Sequence, residues 1–507
     1  MKTQQLLNYE RDRWIAGDGN LAEIPSAIDG SPVALTGSSG VDFCGMLRHA
    51  REVGGPALRK LTFHDRARMV KALGLAIMAR KEELYELSYL TGATRKDGWI
   101  DIEGGAGTLF SFSSKGRREL PDAHVLLDGQ LEGLSKNGTF VGQHIYTPLQ
   151  GAAVHINAFN FPVWGMLEKL APTLLAGVPA IVKPASATAY LTEAAFKIMI
   201  EAEVPPPGAI QLIVGGVGDL FDHLTGQDIV SFTGSAHTAL KLRTHPTVVR
   251  ESVRFVAEQD SLNASLLGPG AAPGTPEFDL FIKEVATEMT VKAGQKCTAI
   301  RRAMAPAEYL DAVQQALAER LAKTKVGDPR AQDTRMGALV STSQRDDVRQ
   351  KIAELEAAGA RIVAGDPNAD PPIPGGAFLQ PVLLRTDDPW TTEAVHDCEP
   401  FGPVSTIMPY RDFSDAIALA NRGKGSLALS LFTRSPDAAR EFIQGAASYH
   451  GRMLVLNREC PPSLRFLRRA RVHHGRAPAA ASRARCSRRH CRGSAPASGR
   501  VSWLHHG

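Results

Sequence analysis

The sequence lacks the features that would direct a chain into or across a membrane. No apolar run reaches the roughly 18 residues that a membrane span requires, because the longest candidate, residues 151–182, is interrupted by Glu168, Lys169 and several prolines. The N-terminal segment MKTQQLLNYERDRW contains no apolar signal-peptide core. Four of the six cysteines lie in residues 1–460, and they show no paired spacing. We therefore expect a cytoplasmic protein with reduced thiols and no membrane partner.

Acidic residues and lysine are absent from the end of the chain. Residues 461–507 contain 11 arginines and 5 histidines, but no lysine, aspartate or glutamate. Residues 1–460 therefore contain 47 of the 58 lysines and arginines and all 53 acidic residues, which gives them a net charge of −6. The overall charge of +5 therefore comes from the tail. A mildly acidic body does not favour nucleic acid as a partner.

The arginine-rich tail allows two interpretations. It could be a basic arm for nucleic acid or a membrane surface. The absence of lysine beside so many arginines instead favours out-of-frame translation of GC-rich DNA. We predict a disordered or out-of-frame segment with no nucleic-acid partner. Cys486, His490 and Cys491 could suggest a metal, but no second ligand pair is spaced for a site, so we predict no metal.

The body of the chain alternates strands and helices, which predicts an α/β protein. A length of 507 residues corresponds to about two to four domains. We predict strands at 152–156, 179–183, 210–214 and 229–232, with helices at 163–176 and 192–202 between them. This alternation is typical of a parallel, doubly wound sheet, in which ligands lie at the carboxyl ends of the strands. A second α/β unit begins near residue 263.

The N-terminal region is predicted to supply helices around this sheet. Thr62 and Asp65 have the spacing of a helix cap, and apolar residues at helical spacing predict one helix across residues 66–90. Residues 92–128 are punctuated by glycine and serine, which predicts helix and loop. Strand-like pieces follow in residues 131–150.

The segment TVKAGQKCTAIRR, residues 290–302, contains a candidate nucleophile, Cys297. A thiol is nucleophilic only as the thiolate, which nearby positive charge would favour. Four basic residues lie close in sequence: Lys292, Lys296, Arg301 and Arg302. Gly294 leaves room for a substrate. An isolated cysteine is more often a buried packing residue, so the assignment depends on the rest of the chain.

Five separated motifs occur in the order and spacing of one superfamily. They are NAFNFP at 157–162, IVKPA at 181–185, SFTGS at 231–235, GQKC at 294–297 and EPFGPV at 399–404. Together they resemble the aldehyde dehydrogenase superfamily over about residues 10–460. The resemblance implies the aldehyde dehydrogenase fold, with a Rossmann-like NADP-binding domain (1–130 and 151–262), bridging or oligomerisation strands (131–150) and an α/β catalytic domain (263–460).

Further motifs narrow the resemblance to one branch. They are TGATR at 91–95, DIEGG at 101–105, EQDSLN at 258–263 and MTVKAGQKCTAIRR at 289–302. The chain is similar to the dehydrogenase half of the bifunctional phenylacetic-acid degradation proteins. This implies a homo-oligomer that oxidises a CoA-linked semialdehyde of the 3-oxo-5,6-dehydrosuberyl-CoA type. The semialdehyde dehydrogenases of the benzoyl-CoA pathway are the alternative branch.

The resemblance ends near residue 460. The bifunctional proteins continue into a hydratase domain, which residues 461–507 do not resemble, so we expect no hydratase or ring-opening activity. The altered C-terminus also puts assembly in doubt, and a truncated, inactive family member remains an alternative.

The resemblance also implies roles for three catalytic residues. Cys297 attacks the aldehyde and forms a thiohemiacetal and then a thioester. The Asn160 amide and the Cys297 backbone N–H donate to the oxyanion, and Glu258 is the general base for hydrolysis. Taken singly, Asn160 could be a turn residue and Glu258 a solvated acid.

The remaining motif residues are implied to bind the cofactor. Lys183 resembles the lysine that contacts the adenosine ribose. Three positions later Ser186 replaces the glutamate of NAD-selective members, so we predict NADP in preference to NAD. Small residues are expected near the pyrophosphate: Gly216, Gly218, Gly234 and Ser235. Glu399 and Phe401 resemble the pair that contacts the nicotinamide ribose and ring.

Overall fold

Two seven-stranded sheets form the framework of the structure, a computed structural model that describes residues 3–460. The predicted tail at 461–507, with Cys486, His490 and Cys491, lies outside the described residues. The strands are β1 Gln4–Gln5, β2 Leu7–Glu10, β3 Arg13–Ala16, β4 Ala22–Pro25, β5 Pro32–Thr36, β6 Leu126–Gly133, β7 Val141–Tyr146, β8 Ala153–Ile156, β9 Ala180–Lys183, β10 Ile210–Leu212, β11 Ile229–Thr233, β12 Arg254–Glu258, β13 Ala264–Leu267, β14 Arg302–Pro306, β15 Arg361–Ala364, β16 Val382–Arg385, β17 Val404–Tyr410, β18 Leu429–Phe432 and β19 Met453–Leu456.

The helices alternate with these strands through most of the chain. They are α1 Phe43–His49, α2 Gly55–Arg59, α3 Phe63–Ala79, α4 Lys81–Tyr89, α5 Arg95–Glu119, α6 Pro162–Leu175, α7 Ala189–Glu201, α8 Ala236–Arg243, α9 Pro246–Arg250, α10 Pro276–Thr290, α11 Leu310–Ala322, α12 Thr342–Ala357, α13 Phe413–Asn421 and α14 Pro436–Ala446. Within residues 3–460, no helix is both long and apolar enough to cross a membrane.

The first large sheet has the strand order β12-β11-β8-β9-β10-β2-β3. Strands β12, β11, β8, β9 and β10 are parallel to one another, whereas β2 pairs antiparallel with β10 and with the edge strand β3. Helices α3, α5, α6 and α7 contribute to the core on one face, and α1 and α8 contribute to the other. Strand β8 is buried along its length because both faces are covered. The predicted parallel α/β sheet is confirmed.

The second large sheet has the order β15-β16-β17-β14-β13-β18-β19 and is parallel except for the antiparallel pair β15–β16. Helices α10 and α11 pack on one face, and α12, α13 and α14 pack on the other. The Thr275 side chain caps α10, and Pro276 is the first residue of that helix. Strand β14 begins five residues after Cys297, so the nucleophile candidate lies just before a central strand.

One helix prediction in the N-terminal region was wrong. The single helix predicted at 66–90 is divided at Arg80, which leaves the helical conformation at φ −119° and ψ 21° and pairs through its guanidinium with Glu83 and Glu201. The segment predicted as helix and loop at 92–128 contains the 25-residue helix α5, followed by a loop before β6. Its glycines allow close packing, because a Cβ on Gly105 would lie 3.0 Å from the Trp164 backbone. Tertiary packing here overrides helix propensity.

A two-stranded antiparallel pair, β6–β7, stands apart from both large sheets. It begins at Leu126, before the predicted boundary at residue 131. Several of its large apolar side chains are exposed, including Leu131 and Phe140 at 63% and 64%. A small sheet of order β1-β5-β4 completes the described strands. The division of the chain into cofactor, bridging and catalytic domains remains a prediction.

Candidate active site

One cavity of about 710 Å³ lies where the carboxyl ends of the first sheet meet the turn before β14. The structure brings seven of the predicted site residues to its wall: Asn160, Gly234, Ser235, Glu258, Cys297, Glu399 and Phe401. The four other predicted residues, Lys183, Ser186, Gly216 and Gly218, do not line this cavity. The three candidate catalytic side chains therefore share one space, although they are distant in sequence.

The turn that presents Cys297 has an unusual backbone. Lys292, Ala293 and Gly294 have φ values of 56°, 49° and 68°, all in the left-handed region. Glycine is required at the third position, since a Cβ on Gly294 would lie 2.0 Å from the Gly402 carbonyl oxygen. For the other two residues this conformation costs roughly 1–2 kcal/mol each. Such strain persists only where the surroundings determine the backbone, and here it leads directly to Cys297.

Two distant side chains hold this turn in place. Asp97, near the start of α5, accepts a hydrogen bond from the Lys292 N–H at 2.8 Å. Asn263 donates from its amide to the Cys297 carbonyl oxygen at 2.8 Å. The Lys292 side chain is buried away from the cavity; burial lowers its pKa, and the carboxylates of Asp101 and Asp97 oppose that shift. The nucleophile turn is thus bound to both sides of the site.

The basic residues near Cys297 were all expected to favour its thiolate, but their charged groups lie in different places. The Lys296 ammonium is paired with Glu288 at 2.7 Å. The Arg302 guanidinium donates to three backbone carbonyls and a histidine on the far side of β14. Arg301 interacts electrostatically with Cys297. The prediction that Arg302 favours the thiolate is therefore wrong, because its charge is directed away from the cavity.

Asn160 lies in the loop between β8 and α6 and is 7% exposed. Its side chain lines the cavity and has no hydrogen-bond partner among residues 3–460, which does not fit a turn-forming role. The helix behind it is held by Asp101, whose carboxylate accepts from the Trp164 and Val163 N–H groups at 2.7 and 3.4 Å. Burial raises the pKa of Asp101 to about 6. The Asn160 amide is thus available to a ligand.

Glu258 is the last residue of β12 and pairs in register with Thr233 of β11. Its carbonyl oxygen accepts a hydrogen bond from the Gly234 N–H at 3.1 Å. Its side chain is half-buried and lines the cavity, so it is not the fully solvated acid of the alternative interpretation.

Lys169 is a cavity residue that the sequence analysis missed. It lies on α6, is 7% exposed and donates from its ammonium to Thr233 Oγ1 at 2.8 Å. The available signal was a Glu168–Lys169 pair within a mostly apolar helix, VWGMLEKLAPTLL. Long cationic side chains are rarely buried unless they have a partner or a function.

Glu399 and Phe401 form the wall opposite the first sheet. Glu399 accepts from Arg301 Nε at 3.2 Å and from the Ser261 N–H at 2.7 Å, one bond on each carboxylate oxygen. Burial raises the pKa of Glu399, while the charge of Arg301 opposes that rise. The Phe401 ring meets Phe159 edge to face, with ring centroids 5.7 Å apart. This wall combines an oriented acid with an aromatic surface.

Lys183 and Ser186 lie together at the carboxyl end of β9. The Lys183 carbonyl accepts from the Asn157 N–H at 2.9 Å, which places the residue beside the loop that carries Asn160. The Lys183 ammonium has no hydrogen-bond or ion-pair partner within the described residues, and burial lowers its pKa. Ser186 is exposed and begins a short 3-10 turn. A half-buried ammonium without a counter-charge suits an anionic or hydroxyl-bearing ligand.

Gly216 and Gly218 follow β10 and pack against the N-terminal segment. The Gly216 carbonyl accepts from the Ser38 hydroxyl at 2.6 Å. Gly218 has a φ of 45°, and a Cβ there would lie 2.4 Å from the Phe43 ring. Packing alone therefore explains Gly218, and a pyrophosphate contact at either glycine remains a proposal.

Gly234 and Ser235 connect β11 to α8 at the cavity wall. A Cβ on Gly234 would lie 2.6 Å from the Phe232 ring, so only glycine fits at this position without a shift of that ring. The Ser235 hydroxyl caps α8 by accepting from the Thr238 N–H at 3.3 Å. The start of α8 faces the same space as Glu258 and could accommodate part of a cofactor.

Comparisons with known proteins agree with this arrangement. A model of the aldehyde dehydrogenase family matches residues 20–460. The chain is 44% identical over 457 residues to the 3,4-dehydroadipyl-CoA semialdehyde dehydrogenase of Aromatoleum evansii, covering 89% of this chain and 88% of that protein.

Two solved structures have similar folds. Betaine aldehyde dehydrogenase from Staphylococcus aureus, in complex with NAD+, has a TM-score of 0.79 at 22% identity, covering 90% of this chain and 87% of that one. Lactaldehyde dehydrogenase from Escherichia coli has a TM-score of 0.79 at 20% identity, covering 90% and 92%. At these identities the two structures bear on the fold alone.

Proposed function

The chain belongs to the aldehyde dehydrogenase family, and from that premise we propose that it oxidises a CoA-linked semialdehyde to the carboxylate with NADP as its preferred cofactor. The observation that carries the proposal is the shared cavity, which presents a thiol, an amide and a carboxylate from three separate segments: Cys297, Asn160 and Glu258.

We assign each of these side chains one part of the reaction. The Cys297 thiolate forms a bond to the aldehyde carbon, and the carbonyl oxygen gains the negative charge. The Asn160 amide and the Cys297 N–H stabilise that charge. When bound, the nicotinamide accepts the hydride that leaves the same carbon. Glu258 then takes a proton from water, whose oxygen attacks the thioester and releases the carboxylate and the Cys297 thiolate.

The residues present fit a nicotinamide cofactor. The partnerless Lys183 ammonium at the end of β9 suits the hydroxyl groups of the adenosine ribose or a phosphate on it. Glu399 presents an oriented carboxylate for the nicotinamide ribose, and Phe401 offers a surface for the ring. Gly234 has no side chain and would let the pyrophosphate approach the backbone. Ser235 precedes α8, whose first backbone N–H groups can donate to the pyrophosphate.

The preference for NADP rests on Ser186. A carboxylate three residues after Lys183 would repel a 2′-phosphate, whereas the exposed Ser186 hydroxyl can donate to it. Lys183 adds a positive charge at the same edge of the sheet. This combination supports NADP over NAD.

The substrate class is supported by the relative's name and by the room in the cavity. The Aromatoleum evansii relative is a CoA semialdehyde dehydrogenase. In this chain, Gly107 on α5 and Gly165 on α6 line the cavity, and a Cβ on either would have no atom within 4 Å. The wall between these helices is therefore open, which favours a bulky aldehyde. Six-carbon and eight-carbon acyl chains, as in 3,4-dehydroadipyl-CoA and 3-oxo-5,6-dehydrosuberyl-CoA semialdehydes, are both candidates.

We further propose that the chain self-associates through β6–β7. The exposed apolar side chains of this pair form a surface that a second copy could cover: Leu127, Leu131, Leu134, Phe140, Val141 and Ile145. The cysteines of residues 3–460 are free, and thiols are kept reduced in the cytosol, which supports the cytoplasm as the location.

The test is reduction of cofactor by the purified full chain. We expect absorbance at 340 nm to rise with either CoA semialdehyde, faster with NADP than with NAD, and not to rise for Cys297→Ala. A small aldehyde such as propanal tests the size preference. No reduction of either cofactor by any aldehyde would refute the proposed function, and a faster reaction with propanal would refute the substrate class.

A further inference from the structure

Arg301 connects two segments of the active site that are far apart in sequence. The residue is 2% exposed. In the Cys297 turn, the Arg301 Nη2 atom donates to the Gly294 carbonyl oxygen at 2.9 Å and lies 3.5 Å from the Lys296 carbonyl oxygen. Its Nη1 atom donates to the Gly402 carbonyl oxygen of the neighbouring segment at 2.7 Å, and its Nε donates to Glu399. One guanidinium thus joins the backbone of the Cys297 turn to the backbone of the segment that carries Glu399 and Phe401.

The same side chain also contacts Phe401. The Arg301 guanidinium carbon lies 5.4 Å from the centroid of the Phe401 ring, within the range of a cation–π contact. Arg301 therefore touches both residues that are proposed to face the nicotinamide end of the cofactor, Glu399 and Phe401. It also binds the turn whose left-handed backbone leads to Cys297.

We propose that Arg301 is a positioning residue that holds the Cys297 turn and the Glu399–Gly402 segment at a fixed separation. The inference rests on the proposed function, since it concerns the same thiol and the same cofactor wall. A guanidinium is suited to this task because its donors lie in one plane and reach several acceptors at once, which a lysine ammonium on a flexible stem does not reproduce.

Hydride transfer should depend on this separation more than cofactor binding does. The reacting carbon would be attached to Cys297, whereas the hydride acceptor would be held by the Glu399–Gly402 segment, and displacements of about 1 Å can cost on the order of 100-fold in rate. The other proposed cofactor contacts, Lys183 and Gly234, are not among the contacts of Arg301. Loss of Arg301 should therefore slow the chemical step while leaving most of the binding energy in place.

Arg302 provides a matched control within the same strand. It is also fully buried and donates to the carbonyls of Leu262, Leu419 and Ala420, but it contacts neither Cys297 nor Glu399. Substitution of Arg302 should lower stability through lost hydrogen bonds without changing the rate per folded site. The comparison separates a positioning role from general destabilisation.

The experiment compares Arg301→Met, Arg301→Lys and Arg302→Lys in the full chain. The pre-steady-state burst of reduced cofactor measures hydride transfer, and quenching of tryptophan fluorescence measures the cofactor Kd. Rates are normalised to folded protein, measured from the near-ultraviolet circular dichroism of each variant. For Arg301→Met we expect the burst rate to fall roughly 100-fold and the Kd to rise less than about tenfold. Arg301→Lys should have a burst rate between those of Arg301→Met and the wild type, because lysine restores the positive charge but not the planar set of guanidinium donors.

A second readout does not involve cofactor or turnover. In the wild-type apo protein, alkylation of Cys297 at fixed pH reports the environment of the thiol, and we expect it to slow in Arg301→Met but not in Arg302→Lys. Wild-type burst rates in both Arg301 variants, or an equal loss in Arg302→Lys, would overturn the inference. If the wild-type chain reduces no cofactor, the proposed function has failed, and the alkylation rates still decide whether Arg301 positions the thiol.

Discussion

The backbone N–H of Lys292 donates a hydrogen bond to Asp97 Oδ1 at 2.8 Å, although the two residues lie 195 positions apart. The other oxygen of the same carboxylate accepts from the Thr94 N–H and hydroxyl at 3.1 and 2.7 Å and so caps α5. One buried carboxylate therefore joins the start of a 25-residue helix to the left-handed turn ahead of Cys297.

Asp97→Ala should reduce both stability and activity. It leaves the buried Lys292 N–H without a partner, which costs about 1–3 kcal/mol, and it removes a helix cap worth about 1 kcal/mol. Relaxation of the turn should also lower kcat by about tenfold or more. Thermal unfolding and steady-state kinetics measure the two effects.

The chain contains a matched control for this variant. Thr62 and Asp65 form the same capping box on α3, remote from the cavity. Asp65→Ala should lower the melting temperature slightly and leave kcat unchanged. Equal kcat values for wild type and Asp97→Ala would show that the turn does not need this anchor.

Asn160→Ala should lower kcat by about 100- to 1,000-fold, the usual effect of removing one oxyanion donor. The cofactor Kd should change little, because the proposed role of the Asn160 amide is to stabilise the oxyanion and not to bind the cofactor. Fluorescence titration and single-turnover kinetics separate the two quantities. A loss confined to KM would instead indicate that Asn160 only binds substrate.

Glu258→Gln should separate the two halves of the reaction. Hydride transfer needs no base from Glu258, so a burst of about one reduced cofactor per site should remain. Hydrolysis should then stop, because an amide cannot take the proton from water. Intact-protein mass spectrometry should find the acyl group on Cys297. Steady turnover at the wild-type rate would remove Glu258 from the mechanism.

Ser186→Glu should change the cofactor preference toward NAD. Like charges about 4 Å apart near a protein surface repel by roughly 1–4 kcal/mol, so kcat/KM with NADP should fall by on the order of tenfold or more. The value with NAD should change little or rise. Ser186→Gln is the uncharged control of similar size. An unchanged NADP/NAD ratio in Ser186→Glu would place the 2′-phosphate elsewhere.

Stability should decline as the pH falls below 6.5, because burial lowers the pKa of three histidines, His155, His396 and His450, and keeps them neutral. Burial, together with the charge of Arg302, lowers the pKa of His396 and of His450 from 6.5 to about 4. The unfolded chain therefore binds these protons at higher pH than the folded chain does. The free energy of unfolding should decrease between pH 6.5 and 4, by up to roughly 3 kcal/mol per histidine.

His396→Asn tests this assignment. His396 accepts a hydrogen bond from Arg302 at 2.9 Å, and an asparagine oxygen can replace that acceptor without titrating. The melting temperature of the variant should fall less steeply between pH 6.5 and 4 than that of the wild type. A parallel decline in both proteins would assign the pH dependence to other groups.

Local signals in the sequence were sufficient for many of the elements. Strands such as β8 and β9 are short apolar runs that end in polar residues, which is the pattern of a strand buried on both faces. The cap at Thr62 was recognised because it depends on two residues three positions apart. The length of helix α5 was not predicted, since its glycines fit a helix only where α6 packs closely against them.

The chain by itself determined which chemical groups are present. Cys297, Asn160 and Glu258 could be proposed from ordered motifs, because a family pattern needs only residue types and spacing. The directions of the charged side chains were decided by the tertiary structure. Arg301 and Arg302 are adjacent and equally basic, yet at the start of β14 one side chain reaches the Cys297 turn and Glu399, whereas the other reaches the carbonyls of Leu262, Leu419 and Ala420. Side chains alternate across a strand, so only the packed position of that strand decides which arginine meets the active site.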